Sequence, residues 1–233
     1  QVGADIGFEV SGDGDQVRVG LFAGYGGADI DMHHGVGDAD IEGFTLGGYA
    51  TYFSPYGLYV DLVVAGQWLD FDTEIDSTGS SADYDGGSIG GSFEVGYQAV
   101  VDGFFVEPQA QVTYVNVSHE SFTDSFGSRV DDDDSDSLRG RLSLRGGPVI
   151  DLDNGGRILP YVEAGVVHEF KGENEIRVDS SSFESDVGGT IFEVGVGVMA
   201  DLGESVSLNA DVDFGFGDTV DSIQGVLGLR VSF

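Results

Sequence analysis

Apolar and polar residues alternate with a period of two along almost the whole chain. That is the signature of strands with one greasy and one polar face. The chain end shows it most plainly. Ile223, Leu227, Leu229, Val231 and Phe233 share one face, while Gln224, Val226, Gly228, Arg230 and Ser232 share the other. A terminal strand finishing on a bare Phe suits a membrane β-barrel, whose last strand closes the cylinder and sets an aromatic at the lipid–water boundary. The last strand of a soluble β-sandwich is the competing reading.

Ten further segments carry the same rhythm: about 2–10, 17–30, 44–52, 58–68, 89–98, 104–117, 138–145, 161–166, 192–198 and 206–214. Short returns (Gly12–Asp15, Ser54–Gly57, Val101–Gly103, Asp151–Gly156, Leu202–Ser205) take turns with polar connections (Asp31–Asp40, Asp72–Gly87, Ser118–Ser137, Lys171–Gly189, Gly217–Ser222). Each apolar face is long enough, at about 9–11 residues of tilted strand, to cross a bilayer. Charges recur on the opposite faces, where a dry sandwich core would not tolerate them. The pattern therefore predicts an all-β, antiparallel up-and-down transmembrane barrel, one domain over residues 1–233, greasy outside and ionised within.

Two topological expectations follow. Barrels of this kind keep short turns at the periplasmic end and longer loops outside, which places the C-terminus in the periplasm. Eleven strands leave an open edge, untenable in lipid. The expectation is a parent barrel of twelve, with its first strand trimmed from the front of this sequence.

Composition sharpens the picture. With 39 Gly and only 4 Pro, the chain suits long strands joined by many turns. It holds no run of 18 apolar residues and no Cys, which removes transmembrane helices, disulfides and thiolate metal sites. The net charge is −33. Nucleic acid is disfavoured as a partner, because its phosphates are repelled. The acidic excess reads as a solvated surface suited to a saline habitat. Alternatively, it binds divalent cations that bridge the outer loops to anionic lipid headgroups.

The run Phe105-Val106-Glu107-Pro108-Gln109-Ala110-Gln111-Val112-Thr113-Tyr114 is followed by Asp136-Ser137-Leu138-Arg139-Gly140-Arg141-Leu142, then by Pro160-Tyr161-Val162 and His168-Glu169-Phe170. With the ending Leu227-Gly228-Leu229-Arg230-Val231-Ser232-Phe233, this series resembles the C-terminal β-domain of the autotransporters (type Va secretion) across nearly the whole chain. The resemblance implies a twelve-strand outer-membrane translocator in a Gram-negative bacterium. It implies insertion by the barrel-assembly machinery, which reads the C-terminal strand, here Leu227, Leu229, Val231 and Phe233. It also implies an N-terminal passenger joined by a linker helix that plugs the lumen. Some members cut their passenger with an acidic lumen and an asparagine on that helix. Neither passenger nor helix lies within these residues, so that activity does not carry over.

Candidate chemistry concentrates on the inward faces. Arg18, Arg139, Arg141, Arg145 and Arg230 are five of the nine basic residues. They face the inward carboxylates Asp5, Asp61, Glu94, Glu107, Glu163, Glu193, Asp211 and Asp213. Ladders of cross-strand ion pairs are one role for this set; a charged cradle for the linker helix or the moving passenger is another. Three arginines on one strand repel one another unless opposed, so Glu107 and Glu163 are expected to face Arg139, Arg141 and Arg145. The histidines (His33, His34, His119, His168) lack metal-ligand spacing. Asp131–Asp134 lacks the Gly and Glu of a calcium loop. No catalytic set and no cofactor site can be assembled. Tyr25, Tyr52, Trp68, Tyr97, Tyr114, Phe192, Phe214 and Phe233 read as girdle residues. The leading expectation is thus a non-enzymatic translocator in outer-membrane lipid. A stand-alone barrel, as narrow pore or surface adhesin, and a rim-sited hydrolase are the alternatives.

Overall fold

A computed structural model describes residues 1–10, 12, 14–32, 37–75, 79–119, 121–123, 129–132, 135–178, 181–186, 188–203, 205–217 and 221–233. Eleven strands run through them: β1 (Val2–Glu9), β2 (Gln16–Met32), β3 (Gly37–Phe53), β4 (Leu58–Ile75), β5 (Ser80–Tyr97) and β6 (Phe104–His119). After these come β7 (Ser135–Pro148), β8 (Arg157–Glu169), β9 (Gly189–Asp201), β10 (Val206–Gly217) and β11 (Asp221–Val231). Each is antiparallel to its sequence neighbour in one continuous up-and-down sheet. A separate four-stranded sheet (Phe122–Thr123, Arg129–Asp132, Glu173–Val178, Ser181–Asp186) grows from the connections β6–β7 and β8–β9.

The sheet curls until its two edges face each other. Arg230 Nη2 of β11 lies 2.5 Å from Asp5 Oδ1 of β1, and Tyr49 of β3 donates to Asp5 at 2.7 Å. Among the described residues β1 pairs only with β2, and β11 only with β10. The edges are therefore joined by this Arg230–Asp5 side-chain contact and not by a backbone ladder among the described residues. A cleft of about 830 Å³ separates them, lined largely by residues 1–7 and 229–233.

The convex face is greasy and open. Trp68 is 59% and Leu142 61% exposed, whereas the inward Glu107 is 1% exposed. Among the described residues only Phe105, Leu159 and Ala200 form a buried apolar core, fewer than the buried polar Thr51, Glu107, Gln109 and Ser143. This is the reverse of a soluble sandwich and the arrangement of a membrane barrel. Tyr25, Phe44 and Trp68 are register partners across β2, β3 and β4, with the Phe44 and Trp68 ring centroids 6.1 Å apart. Together they make one arc of a girdle.

Glycine lets inward aromatics lie flat on the wall. Tyr49, Tyr59 and Tyr161 are direct register partners of Gly20, Gly96 and Gly197. Each ring lies where the glycine's Cβ would stand. At the turn before β4, Gly57 has φ +95° and touches the Gln98 carbonyl, so any side chain there is barred twice.

Several expected loops are strand. The sequence places a polar connection over Asp31–Asp40, yet β2 reaches Met32 and β3 begins at Gly37. Likewise β4 and β5 leave only residues 76–79 between them, where a loop over Asp72–Gly87 is expected. The alternation does not stop at these points; its polarity inverts. Asp29, Asp40, Asp72 and Asp83 are register partners on the outward face, with Glu42, Asp70 and Asp85 in the next row. Ile41, Phe71 and Tyr84 hold the inward face, the last two rings stacked at 4.9 Å. The connection at 33–36 is as short as the turn at 54–57. At β2–β5 the two ends differ in the reach of the strands rather than in loop length, whereas the connections β6–β7 and β8–β9 are long, as the sequence predicts.

Candidate functional site

The inward faces of β3 to β10 share one cavity of about 680 Å³ near the end that carries the turns at 54–57, 98–103 and 149–156. Strand parity puts every second side chain there. Asp61, Glu94, Glu107, Arg141, Arg145, Glu163, Asp211 and Asp213 all line it.

At its centre Glu107 accepts from Arg145 Nη2 at 2.6 Å and Nε at 3.1 Å, from Gln98 Nε2 at 2.8 Å and from Gln109 Nε2 at 2.9 Å. Three of these bonds fall on Oε1 and one on Oε2, so both oxygens of the buried carboxylate have a donor, which is what a buried charge requires. The network spreads sideways. Gln109 also donates to the Tyr59 hydroxyl at 2.9 Å, Tyr59 donates to Glu94 at 2.6 Å, and Ser143 donates to Gln109 at 2.9 Å. On the other flank the Arg145 guanidinium lies 5.3 Å from the Tyr161 ring centroid. Thr51 donates to Asp61 in a very short bond.

One layer nearer the loops, Arg141 bridges two strands, with Nη2 2.5 Å from Glu163 and Nε 2.7 Å from Glu193. Glu193 lies on β9, two strands from β7, so this clamp spans the concave face rather than one ladder. Arg18 lies 3.5 Å from Asp5, beside the Arg230 contact already described. Two details depart from expectation. Arg139 meets neither Glu107 nor Glu163; Glu169 holds it at 3.0 Å near the rim, where the arginine is largely exposed and the glutamate is not. The bore is also not uniformly wet, because Glu107 and Gln109 are buried from solvent.

Gln98, Gln109, Ser143 and Tyr161 share the parity of the inward Glu94, Glu107, Arg141 and Glu163 on their own segments. Tyr59 was missed, although it has the same parity as Asp61 on the same strand. Glu169 was missed as a partner too, and there the signal was its even spacing from Glu163. Leu227, Leu229 and Val231 lie exposed along the outer face of β11, with Phe233 just beyond the strand. His168 faces outward, its Nδ1 2.9 Å from Thr190 Oγ1. His33, His34, the His119 side chain and the side chains of Asp131–Asp134 lie outside the described residues.

A barrel that is apolar outside and lined with paired charges defines an outer-membrane β-barrel protein. Residues 1–213 match the autotransporter β-domain family model, and the chain belongs to that family of Gram-negative outer-membrane barrels. It is 32% identical over 221 residues to the pertactin autotransporter of Bordetella bronchiseptica, covering 93% of this chain and 24% of that protein. Among solved structures, the β-domain of the Bordetella autotransporter BrkA superimposes with a TM-score of 0.84 at 30% identity, covering 99% of this chain and 88% of that one. The transport unit of AIDA-I from Escherichia coli shares the fold, with a TM-score of 0.78 at 18% identity, covering 99% of this chain and 80% of that one. The chain thus spans about a quarter of the length of the curated relatives it matches.

Proposed function

We propose that this barrel anchors an N-terminal passenger in the outer membrane and exports it to the cell surface. The observation that carries the reading is the inside-out sheet, greasy without and ion-paired within, in a chain matching only about a quarter of its pertactin relative. The family resemblance supplies the passenger as cargo. The Arg141 clamp and the open layer above the Glu107 network are suited to cradle a linker helix. The lumen charges Arg18, Asp61, Glu94, Glu107, Arg139, Arg141, Arg145, Glu163, Glu193, Asp211, Asp213 and Arg230 serve that cradle and fix register. No catalytic role is assigned to them.

Orientation follows the strand extensions. The tight-turn end, with the C-terminus, faces the periplasm, and the long two-faced hairpins face the medium. Leu227, Leu229, Val231 and Phe233 form the signal that the barrel-assembly machinery reads. Because β1 and β11 run in the same direction with their outer edges unpaired, a twelfth strand antiparallel to both closes the seam.

The test is expression of the whole gene product in a bacterium with an outer membrane, probed by external protease. The passenger is cleaved from outside when the barrel is intact and stays protected in the periplasm when residues 227–233 are deleted. An intact barrel that conducts ions as an open pore, with nothing N-terminal to it reaching the surface, refutes export and favours the stand-alone pore.

A further inference from the structure

We propose that the lipid-facing wall of β5–β8 holds a specific site for one phosphate-bearing lipid of the outer leaflet. A groove of about 370 Å³ runs there among Phe93, Ala110, Val112, Gly140, Leu142 and Phe170. Its floor is made of small outward residues. Leu142 faces Ala110 and Gly140 faces Val112 in register, and the Phe170 ring lies over Gly140. The bulky walls are open to the exterior, with Val112 about half exposed and Phe170 rather more. The result is a groove in the lipid-facing wall rather than a flat greasy belt.

Polarity along the groove runs from tail to headgroup. Two rows above Gly140 the wall passes Leu138–Tyr114 and reaches Asp136–Asn116. There the Lys171 ammonium sits 5.7 Å from the Tyr114 ring centroid and 3.2 Å from Asp136. Asp136 accepts from the Tyr114 hydroxyl at 2.7 Å and the Asn116 amide at 3.1 Å as well as from Lys171. Lys171 spends one of its three donors on it and is half exposed. The contrast with the rest of the rim decides the occupant. Over β2–β5 the register row of Asp136 and Asn116 is the uncharged Ile89–Gly66–Leu46, and two and three outward rows further along it gives way to Glu42–Asp70–Asp85 and Asp29–Asp40–Asp72–Asp83, which repel phosphate. Among the described residues, Lys171 is the cation that stands above this groove, at β6–β8.

This inference rests on the orientation proposed above, so the two are tested apart. The purified barrel, its fold checked by heat-modifiable migration, is loaded with lipid A or dephosphorylated lipid A in nanodiscs, then released into detergent for native mass spectrometry. One lipid A stays bound, and the dephosphorylated form binds about fivefold more weakly. Lys171→Gln lowers lipid A binding to the level of the dephosphorylated form. Ala110→Phe fills the groove and abolishes retention, while Ala210→Phe, on the lipid face of β10, leaves it intact. Equal retention of the two lipids, or equal effects of the two Phe variants, overturns the site. Orientation is read in whole cells by external labelling of Ser81→Cys in this cysteine-free chain. Failure there sinks the topology but leaves the nanodisc result standing.

Discussion

Removing the Glu107 carboxylate isolates the buried part of the lumen network. Glu107 is 1% exposed and holds four donors, two of them from Arg145. Glu107→Ala leaves the Arg145 guanidinium, whose side chain is only 20% exposed, facing a void and two orphaned amides. Breaking one partner of a buried pair costs about 3–5 kcal/mol, much of it the penalty of an uncompensated charge. Glu107→Gln keeps the shape and one acceptor oxygen and loses about 1.5–3 kcal/mol, the scale of charge-assisted hydrogen bonds. The paired change Glu107→Leu with Arg145→Met removes both charges together and recovers most of the loss, because desolvation no longer goes unpaid. Equilibrium unfolding in urea from lipid vesicles, followed by Trp68 emission and by heat-modifiable migration, reads all three. If Glu107→Ala shifts stability by less than about 1 kcal/mol, the pair behaves like a solvated surface bridge and the packed polar core described here is wrong.

Other positions give independent checks. Gly96→Ala puts a methyl into the Tyr59 ring and is expected to cost about 1–3 kcal/mol, relieved by Tyr59→Ser in the double variant; unfolding midpoints decide it. At the outer rim the Asp40 carboxyl is pushed up by its hydrogen bond to Asp29 opposite, then by desolvation and the charges of Asp29, Asp38 and Asp72. A raised folded-state value means stability that is present at low pH and lost as pH rises through it. Hydrogen exchange at the outer ends of β2 and β3, corrected for intrinsic rates, is therefore faster at pH 7 than at pH 4, and added salt slows it. Asp136 has the opposite sign, held below the usual carboxylate range by its Tyr114, Asn116 and Lys171 donors. The protection it gives the rim near β6 and β7 fades as pH falls below about 4. Deleting Phe233 slows barrel assembly in cells without lowering the unfolding midpoint of the refolded barrel, since it lies fully exposed beyond the last strand; equal loss in both assays contradicts its role as a signal.

Period-two alternation carried the fold because each barrel strand meets lipid on one face and the bore on the other. Strand count, strand order and the inward set containing Arg141, Arg145, Glu107 and Glu163 follow from parity alone. Parity says which side a residue faces but not how deep it lies, so the burial of Glu107 and the solvation of Arg139 were invisible. Range along the sequence was the second limit. Arg141 reaches Glu193 two strands away, and Arg230 reaches Asp5 at the far end of the chain, contacts that depend on curvature. The outer hairpins were misjudged for a different reason. Beyond the girdle both faces meet water, and an acidic outward row such as Asp29 and Asp31 imitates loop composition even though Ile30 and Ile41 continue the strand.

Trp68, the sole tryptophan, stands on the outward face at the girdle. Its quenching by brominated lipids placed at graded depths tests directly which face meets the bilayer. The account predicts strong quenching by bromines near the interface and little by aqueous iodide. Iodide quenching with no response to any brominated lipid would mean that the valine-, leucine- and aromatic-rich face does not meet lipid.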